Sequence, residues 1–482
     1  MTIDAQLLTR SAVDIVGLLR SEQISPLDLL DTLQWQVERV EPHVNALPVR
    51  CWERAYDHAR TLMQKPLAAR GLLCGMPLPI KDLTAVAGVR TTFGSRVYQN
   101  HVPQSSDVLV TRLEAQGAIV YAKSNTPEFG AGGHTYNAVY GATRNPWHLQ
   151  RSAGGSSGGA AAALASGTAW LAHGSDLAGS LRTPAAFCGV VGVRPTPGRI
   201  GSGPSTAAFD TLAVEGPMAR NVADAALLLD AMCGISSHEP LSLGAGGERF
   251  LDAALRPQRP LRIAYSPDLG VGKVDPEITR VMQQAVARLR SQGLAVEEIE
   301  LDLSAAREAF YALRGLGYAG NYAALLGEQR TLLNPNVVWN IEYGLKLDAQ
   351  QIKDGMRMRS VLYQQVIRQL GDYDLLICPA SIVPPFPTEW THVRQAAGVD
   401  FDIYIDWLAI TYALTMLALP VVAMPCGMTA EGLPVGMQLV GKPRGEAGLL
   451  AMARALEAAL GEWATARPQL QSLLEGETAG HA

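Results

Sequence analysis

Charge is scarce in this chain. Asp, Glu, Lys and Arg together make up 18% of its 482 residues, below the roughly 25% of an average soluble domain. With 48% hydrophobic residues, the deficit implies a large buried volume with much sheet inside it. Acids exceed bases only slightly, giving a formal net charge of -5, so there is no electrostatic ground for nucleic-acid binding. No run of 18 or more apolar residues occurs, which argues against a membrane span. The start, Met1-Thr2-Ile3-Asp4-Ala5, lacks the basic patch and apolar block of a secretory signal. Cys51, Cys74, Cys188, Cys233, Cys378 and Cys426 are dispersed without a CxxC pair, and in a chain this size they are expected to sit reduced. None of the nine histidines stands in an HExxH or comparable spacing, so no metal and no other cofactor is expected. Internal repeats are also missing. These exclusions point to a soluble cytoplasmic protein.

What is present alternates. The first sixty residues read as helical, and Ser25-Pro26-Leu27-Asp28 is a start signal: a serine cap, proline at the first position and an acid that can reach back. Leu27, Leu30, Leu33 and Val37 follow at helical spacing, with Glu41-Pro42 expected to end the helix. From about residue 70, helical and strand patterns take turns. Strands are predicted at Leu78-Pro79-Ile80, Ala118 to Ala122, Gly189 to Val193, Leu261 to Tyr265, Leu375 to Cys378, Val421 to Met424 and Val435 to Val440. Helices are predicted over Val108 to Gln116, Ala160 to Ser166 and Pro276 to Ser291, with a last one from Glu446. This argues for an α/β fold, a single large domain whose central mixed β-sheet is covered by helices on both faces. Within one domain spanning 1–482, the expected parts are an N-terminal helical segment (1–65), a catalytic core (about 70–235), a variable pocket region (about 300–400) and a frayed tail (470–482).

Three pieces carry chemistry. The loop Gly154-Gly155-Ser156-Ser157-Gly158-Gly159 lets backbone approach a ligand and offers amide donors at a helix N-terminus. No Lys-Ser or Lys-Thr pair closes it, which disfavours a phosphate loop. Gly154-x-Ser156-x-Gly158 also fits a nucleophile elbow, but such an elbow needs a strand directly before it. Asn145 to His148 and Gln150 to Ser152 are poor strand material, so the elbow stays a minor alternative. The second piece is Leu177-Ala178-Gly179-Ser180, small residues that can turn tightly and aim successive N–H groups at one oxyanion. Asp176 and Arg182 flank it and could pair. The third is Lys81, after the apolar Met76-Pro77-Leu78-Pro79-Ile80. To act as a base it must be buried until its pKa falls from about 10.4 to near 7 or 8, at a cost of about 4 kcal/mol. Asp82 would oppose this if close, although strand neighbours point to opposite faces. Cys378 lies in an apolar strand that would raise, not lower, a thiol pKa. His173 reads as a satisfied core residue.

In this order the pieces resemble the amidase signature family over most of the chain. The matching stretches are Gly75 to Leu83, Gly141 to Trp147 running into Gly154 to Gly159, Gly174 to Pro184, Glu215 to Arg220 and Gly432 to Gln438. The resemblance implies a Ser-cisSer-Lys triad, with Ser180 as nucleophile, Ser156 as bridging serine on a cis peptide and Lys81 as ultimate base. It further implies oxyanion donors at the backbone N–H groups of Leu177, Ala178, Gly179 and Ser180, with Ser157, Asp176 and Arg182 in support. Many members have Gly-Gly-Ser where this chain has Ala178-Gly179-Ser180. That version, and the segment Gly141 to Gly159, are similar to the nylon-oligomer cyclic-dimer hydrolases and broad-specificity bacterial amidases.

The expected function is therefore hydrolysis of a carboxylic amide C–N bond through an acyl-enzyme, on aryl or aliphatic amides, linear or cyclic. The expected partner is a small-molecule amide, with neither nucleic acid nor membrane, and a homodimer is left open. Substrate walls are expected from Phe310 to Tyr343, where Tyr311, Tyr318, Tyr322, Trp339 and Tyr343 supply aromatic surface, with ordinary helix packing the favoured reading for any single ring. A carbamate or urethane hydrolase with the same triad, and the glutaminase subunit of a tRNA-dependent amidotransferase, are the alternatives. An allophanate-type enzyme would carry a further C-terminal domain. A non-catalytic binding protein would keep the fold without a working lysine.

Overall fold

The N-terminal helices α1 (Ala12–Arg20), α2 (Pro26–Val44) and α3 (Trp52–Met63) bury one apolar face each. Ser25 and Asp28 close the expected capping box on α2. The helix does not stop at Glu41-Pro42. Pro42 lies inside it, and Asn45 ends it in the left-handed region with its N–H donating to Glu41 C=O. The computed structural model describes residues 3–204 and 207–469; the tail expected to fray lies outside them.

Two sheets follow. A three-stranded one consists of β1 (Val49–Arg50), β2 (Pro77–Lys81) and β3 (Ile119–Ser124), with β3 in the middle. Helix α4 (Val108–Ala115) leads into β3. The larger sheet has eight strands: β4 (Leu171–Asp176), β5 (Val191–Arg194), β6 (Val214–Ala219), β7 (Ile263–Tyr265), β8 (Val296–Glu298), β9 (Leu375–Pro379), β10 (Val421–Met428) and β11 (Pro434–Val440). Their spatial order is β8-β7-β9-β11-β10-β5-β6-β4, parallel around β7 and antiparallel elsewhere, so the sheet is mixed as expected. β9 and β10 are unbroken apolar runs, and β11 is broken only by the buried Gln438, because both faces are covered. The covering helices include α5 (Gly158–Ala165), α6 (Arg182–Cys188), α7 (Val222–Met232), α8 (Pro276–Ser291), α9 (Ala306–Tyr322) and, near the C-terminus, α10 (Glu446–Leu460).

One predicted non-strand is a strand. His148–Ser152 pairs with Arg144–Asn145 in a surface ribbon. Its polar residues point partly to solvent, which an edge ribbon permits.

Helix α5 is built almost wholly of Gly and Ala and is entirely buried. A Cβ on Gly159 would lie 2.3 Å from the Asn125 amide nitrogen, so only glycine lets α5 dock against the end of β3. Edge strand β4 of the large sheet runs beside edge strand β2 of the small one. The two glycine-rich loops and the lysine meet at that seam.

Candidate active site

Strand β2 is wholly buried and pairs only with β3, which suits its two prolines. Its far edge faces β4, and there the Lys81 N–H donates to His173 Nδ1 at 3.2 Å. The Lys81 side chain is fully buried. Its Nζ lies 2.8 Å from Ser156 Oγ, 2.8 Å from Ser157 Oγ and 2.9 Å from Ser175 Oγ. Burial drives its pKa down to about 7, against the opposing pull of Glu215 and Asp176. A neutral amine has two N–H donors and one lone pair. It can donate to Ser157 and Ser175 while accepting the Ser156 hydroxyl proton. Asp82 does not interfere: its carboxylate accepts from the Thr92 hydroxyl at 2.6 Å and its amide, and lies 3.7 Å from Lys123 Nζ.

The serine loop is fixed by its backbone. Thr135 N–H donates to Gly154 C=O at 3.0 Å, and Gly158 N–H donates to Thr135 Oγ1 at 3.0 Å. The Gly155–Ser156 peptide is cis. Ser157 N–H donates to Ser180 C=O at 3.1 Å, tying the two serine segments together. Ser157 Oγ also donates to Ser175 C=O at 3.2 Å.

The turn after β4 is organised by Asp176. Its carboxylate accepts from Gly179 N–H and Leu181 N–H, each at 3.0 Å, and from the Arg182 guanidinium at 2.9 and 3.0 Å. Arg194 adds a second cation at 3.2 Å. Burial alone would push the Asp176 carboxyl up, but Arg182 and Arg194 overcome it and hold the group well below the usual carboxylate range. Arg182 spends its remaining donors on Thr411 C=O, Gln438 Oε1 and Thr415 Oγ1. Gly179 has φ +112°, and a Cβ there would sit 2.4 Å from Thr411 Oγ1. Position 179 therefore requires glycine. Position 178 does not, and the Ala178 methyl joins the cavity wall.

Of the four amides expected to face an oxyanion, the turn removes one. Gly179 N–H is already committed to Asp176, whereas Leu177, Ala178 and Ser180 N–H have no acceptor among the described residues. Ser156 and Ser180 both line the same cavity. Among the described residues their hydroxyls form no hydrogen bond with one another; such links often tighten only around substrate. Ser175 was missed by sequence reasoning. It shares a strand face with His173, two residues earlier, which was the signal available.

The cavity has a volume of about 570 Å³. One wall is aromatic: Phe93, Phe129, Tyr318 and Tyr322, with Phe129 and Tyr322 stacked at 4.4 Å between centroids. Leu313, Arg314 and Gly317 of α9 complete it. Tyr311, Trp339 and Tyr343 do not line it and are ordinary packing, the reading favoured for any one of these rings. They pack on one another at 5.3 to 6.1 Å, and the Tyr311 hydroxyl donates to Asp406 at 2.6 Å.

Among the described residues no histidine ring hydrogen-bonds to Ser156, as a hydrolase elbow would require. His134 bonds Ser152 and His173 bonds Lys81 and Glu215, so neither ring meets Ser156. Burial pushes the Cys378 thiol up to about 12, which disqualifies it as a nucleophile. No helix among the described residues is long and apolar enough to cross a membrane.

Known proteins resemble the chain in both sequence and fold. A family model described as Amidase matches residues 28–450. The chain is 35% identical over 465 residues to an acylamidase of Rhodococcus erythropolis, covering 95% of this chain and 97% of that one. Among solved structures, a bacterial aryl acylamidase superposes with a TM-score of 0.87 at 28% identity, over 95% of this chain and 99% of that one. A 6-aminohexanoate cyclic dimer hydrolase does so with 0.86 at 28% identity, over 98% and 100%.

Proposed function

The chain belongs to the amidase signature family and is an amide hydrolase, and from that premise we propose that it cleaves amides through an acyl-enzyme on Ser180, with Ser156 and Lys81 as the proton relay. The observation that carries this reading is Lys81: a fully buried amine, held by three serine hydroxyls, with a pKa lowered to about 7 by burial. Near neutrality such an amine is half deprotonated, the condition for a general base.

Lys81 Nζ takes the Ser156 hydroxyl proton as Ser156 takes that of Ser180. Ser180 Oγ then attacks the amide carbon. The carbonyl oxygen gathers negative charge opposite the unengaged amides of Leu177, Ala178 and Ser180, which are already oriented by Asp176. The proton returns through Ser156 to the leaving nitrogen, the C–N bond breaks and the amine departs. Water then takes the place of the amine and the same relay releases the acid. Asp176, Arg182 and Ser157 position the turn and the lysine without meeting the substrate.

The aromatic wall of Phe93, Phe129, Tyr318 and Tyr322 favours a bulky, flat or apolar acyl or amine group. Aryl amides are accordingly the proposed substrates, in line with the names of the acylamidase relatives. The test is a hydrolysis screen of the purified protein over aryl, aliphatic and cyclic amides, carbamates and glutamine. Turnover of aryl amides, abolished in Ser180→Ala, is expected. Preference for glutamine or for carbamates would replace the substrate reading. A Ser180→Ala protein as active as wild type would end the acyl-enzyme reading.

A further inference from the structure

Lys81 is coupled to a buried pair that the relay itself does not use. In the β4–β6 register, Glu215 lies opposite Ser175 and Pro217 opposite His173. The His173 ring is fully buried and bridges the seam between the two sheets. Its Nδ1 accepts the Lys81 N–H at 3.2 Å, which places the ring proton on Nε2, and Nε2 donates to Glu215 Oε2 at 2.7 Å. Glu215 keeps 22% side-chain exposure and lines the cavity beside Ser175.

The other charged groups around Lys81 have partners of their own. Asp176 is paired with Arg182 and Arg194. Lys123 on β3 sits with Asp82. On α2, Glu41 is spent on the amides of Ala46 and Leu47, and α5 carries no charge. Facing Glu215 itself are Asp107 and Glu239, held by the amides of Leu109 and Ser202. Among the described residues Glu215 forms no ion pair with a guanidinium or an ammonium group, and its charge acts on Lys81 through space.

We propose that Glu215, held by His173, is a positioning residue for the reaction: it fixes the end of β2 to the large sheet and supplies the carboxylate that stabilises Lys81 while Lys81 carries the proton. This rests on Lys81 being the base. Burial favours the neutral amine that starts the reaction, and Glu215 favours the ammonium that exists at the transition state. The first effect is the larger and the second limits it. A base made too weak by burial would be neutral at all working pH values but poor at holding the proton.

The test is the pH dependence of Ser180 inactivation by a fluorophosphonate, which needs no knowledge of the substrate. In wild type the rate is expected to rise through a midpoint near 7, the value of Lys81. Glu215→Gln keeps the hydrogen bond to His173 but removes the charge. Its midpoint should fall by about half a unit or more, and its alkaline plateau should drop, so that the two profiles cross. Glu215→Asp retains the charge and should restore the wild-type midpoint. A purely structural role would lower the whole profile without moving it. An unmoved or raised midpoint in Glu215→Gln, in protein with the wild-type melting temperature, overturns the inference. A wild-type protein that the probe does not label at all overturns the base reading, and this inference with it.

Discussion

Replacing Lys81 by methionine should abolish amide turnover and remove a pH-dependent penalty on folding. The unfolded lysine titrates at 10.5 and the folded one at about 7. Below pH 7 the folded state either bears a charge in a dry pocket or gives up a proton, and folding is penalised. At 1.36 kcal/mol per unit, the penalty is roughly 4 kcal/mol at pH 7. The sign follows from proton counting. Between pH 7 and 10.5 the unfolded chain binds more protons than the folded one, so wild-type stability rises with pH and the penalty has gone above 10.5. Methionine fills nearly the same space without that cost, but leaves the Ser156 and Ser175 hydroxyls without the amine, at about 1–3 kcal/mol each. The two effects nearly cancel at neutral pH, while the pH dependence is not blurred by those losses. Urea unfolding of both proteins at pH 6.5 and 9 checks this. The difference in unfolding free energy, variant minus wild type, should fall by roughly 2.5 kcal/mol across the interval. A difference that stays flat or grows with pH would refute the burial argument.

Three further outcomes follow from the same structure. Gly179→Ala forces a Cβ against Thr411 at a backbone angle that side chains avoid, and should cost about 100-fold or more in turnover with KM little changed. Asp176→Asn strips the counter-charge from two buried arginines and should lower stability by about 3 kcal/mol in chemical denaturation. Because the Asp176 carboxyl is held below its unfolded value, its stabilisation should persist at full strength above about pH 4 and fade only as pH falls through the folded value. Tyr322→Ala opens the aromatic wall beside Phe129, and should raise KM for aryl amides by about tenfold with kcat largely kept; a matched loss in kcat would show that the ring acts on the transition state instead.

Much of this was legible in the sequence, and the gaps have physical causes. Glycine loops and the apolar approach to Lys81 announce themselves because they are local: backbone freedom and burial are read from neighbours in the chain. Most strands and helices were found for the same reason. His173 was rightly read as a satisfied core residue, but its partner Glu215 lies 42 residues away and is reached only through the β4–β6 register. Nothing local fixes that register. The loss of the Gly179 amide to Asp176 depends on how tightly the turn closes. The aromatic residues divide for a different reason. Tyr311, Tyr318 and Tyr322 share one stripe of α9, but Tyr311 lies about 10 Å nearer its N-terminus than Tyr318, at 1.5 Å per residue. Periodicity identifies the stripe and is silent on where along it the cavity opens. Helix α2 outran Pro42 to an Asn45 cap whose N–H bonds Glu41 C=O, a closure that the proline alone does not announce.

The central claim is a lysine that is largely neutral at physiological pH because it is dry. It can be read directly by nuclear magnetic resonance on protein carrying 13Cε-labelled lysine, the Lys81 signal being identified by its loss in Lys81→Met. A titration midpoint near 7 is the result the structure predicts. A midpoint near 10.4, that of a lysine in water, would contradict it.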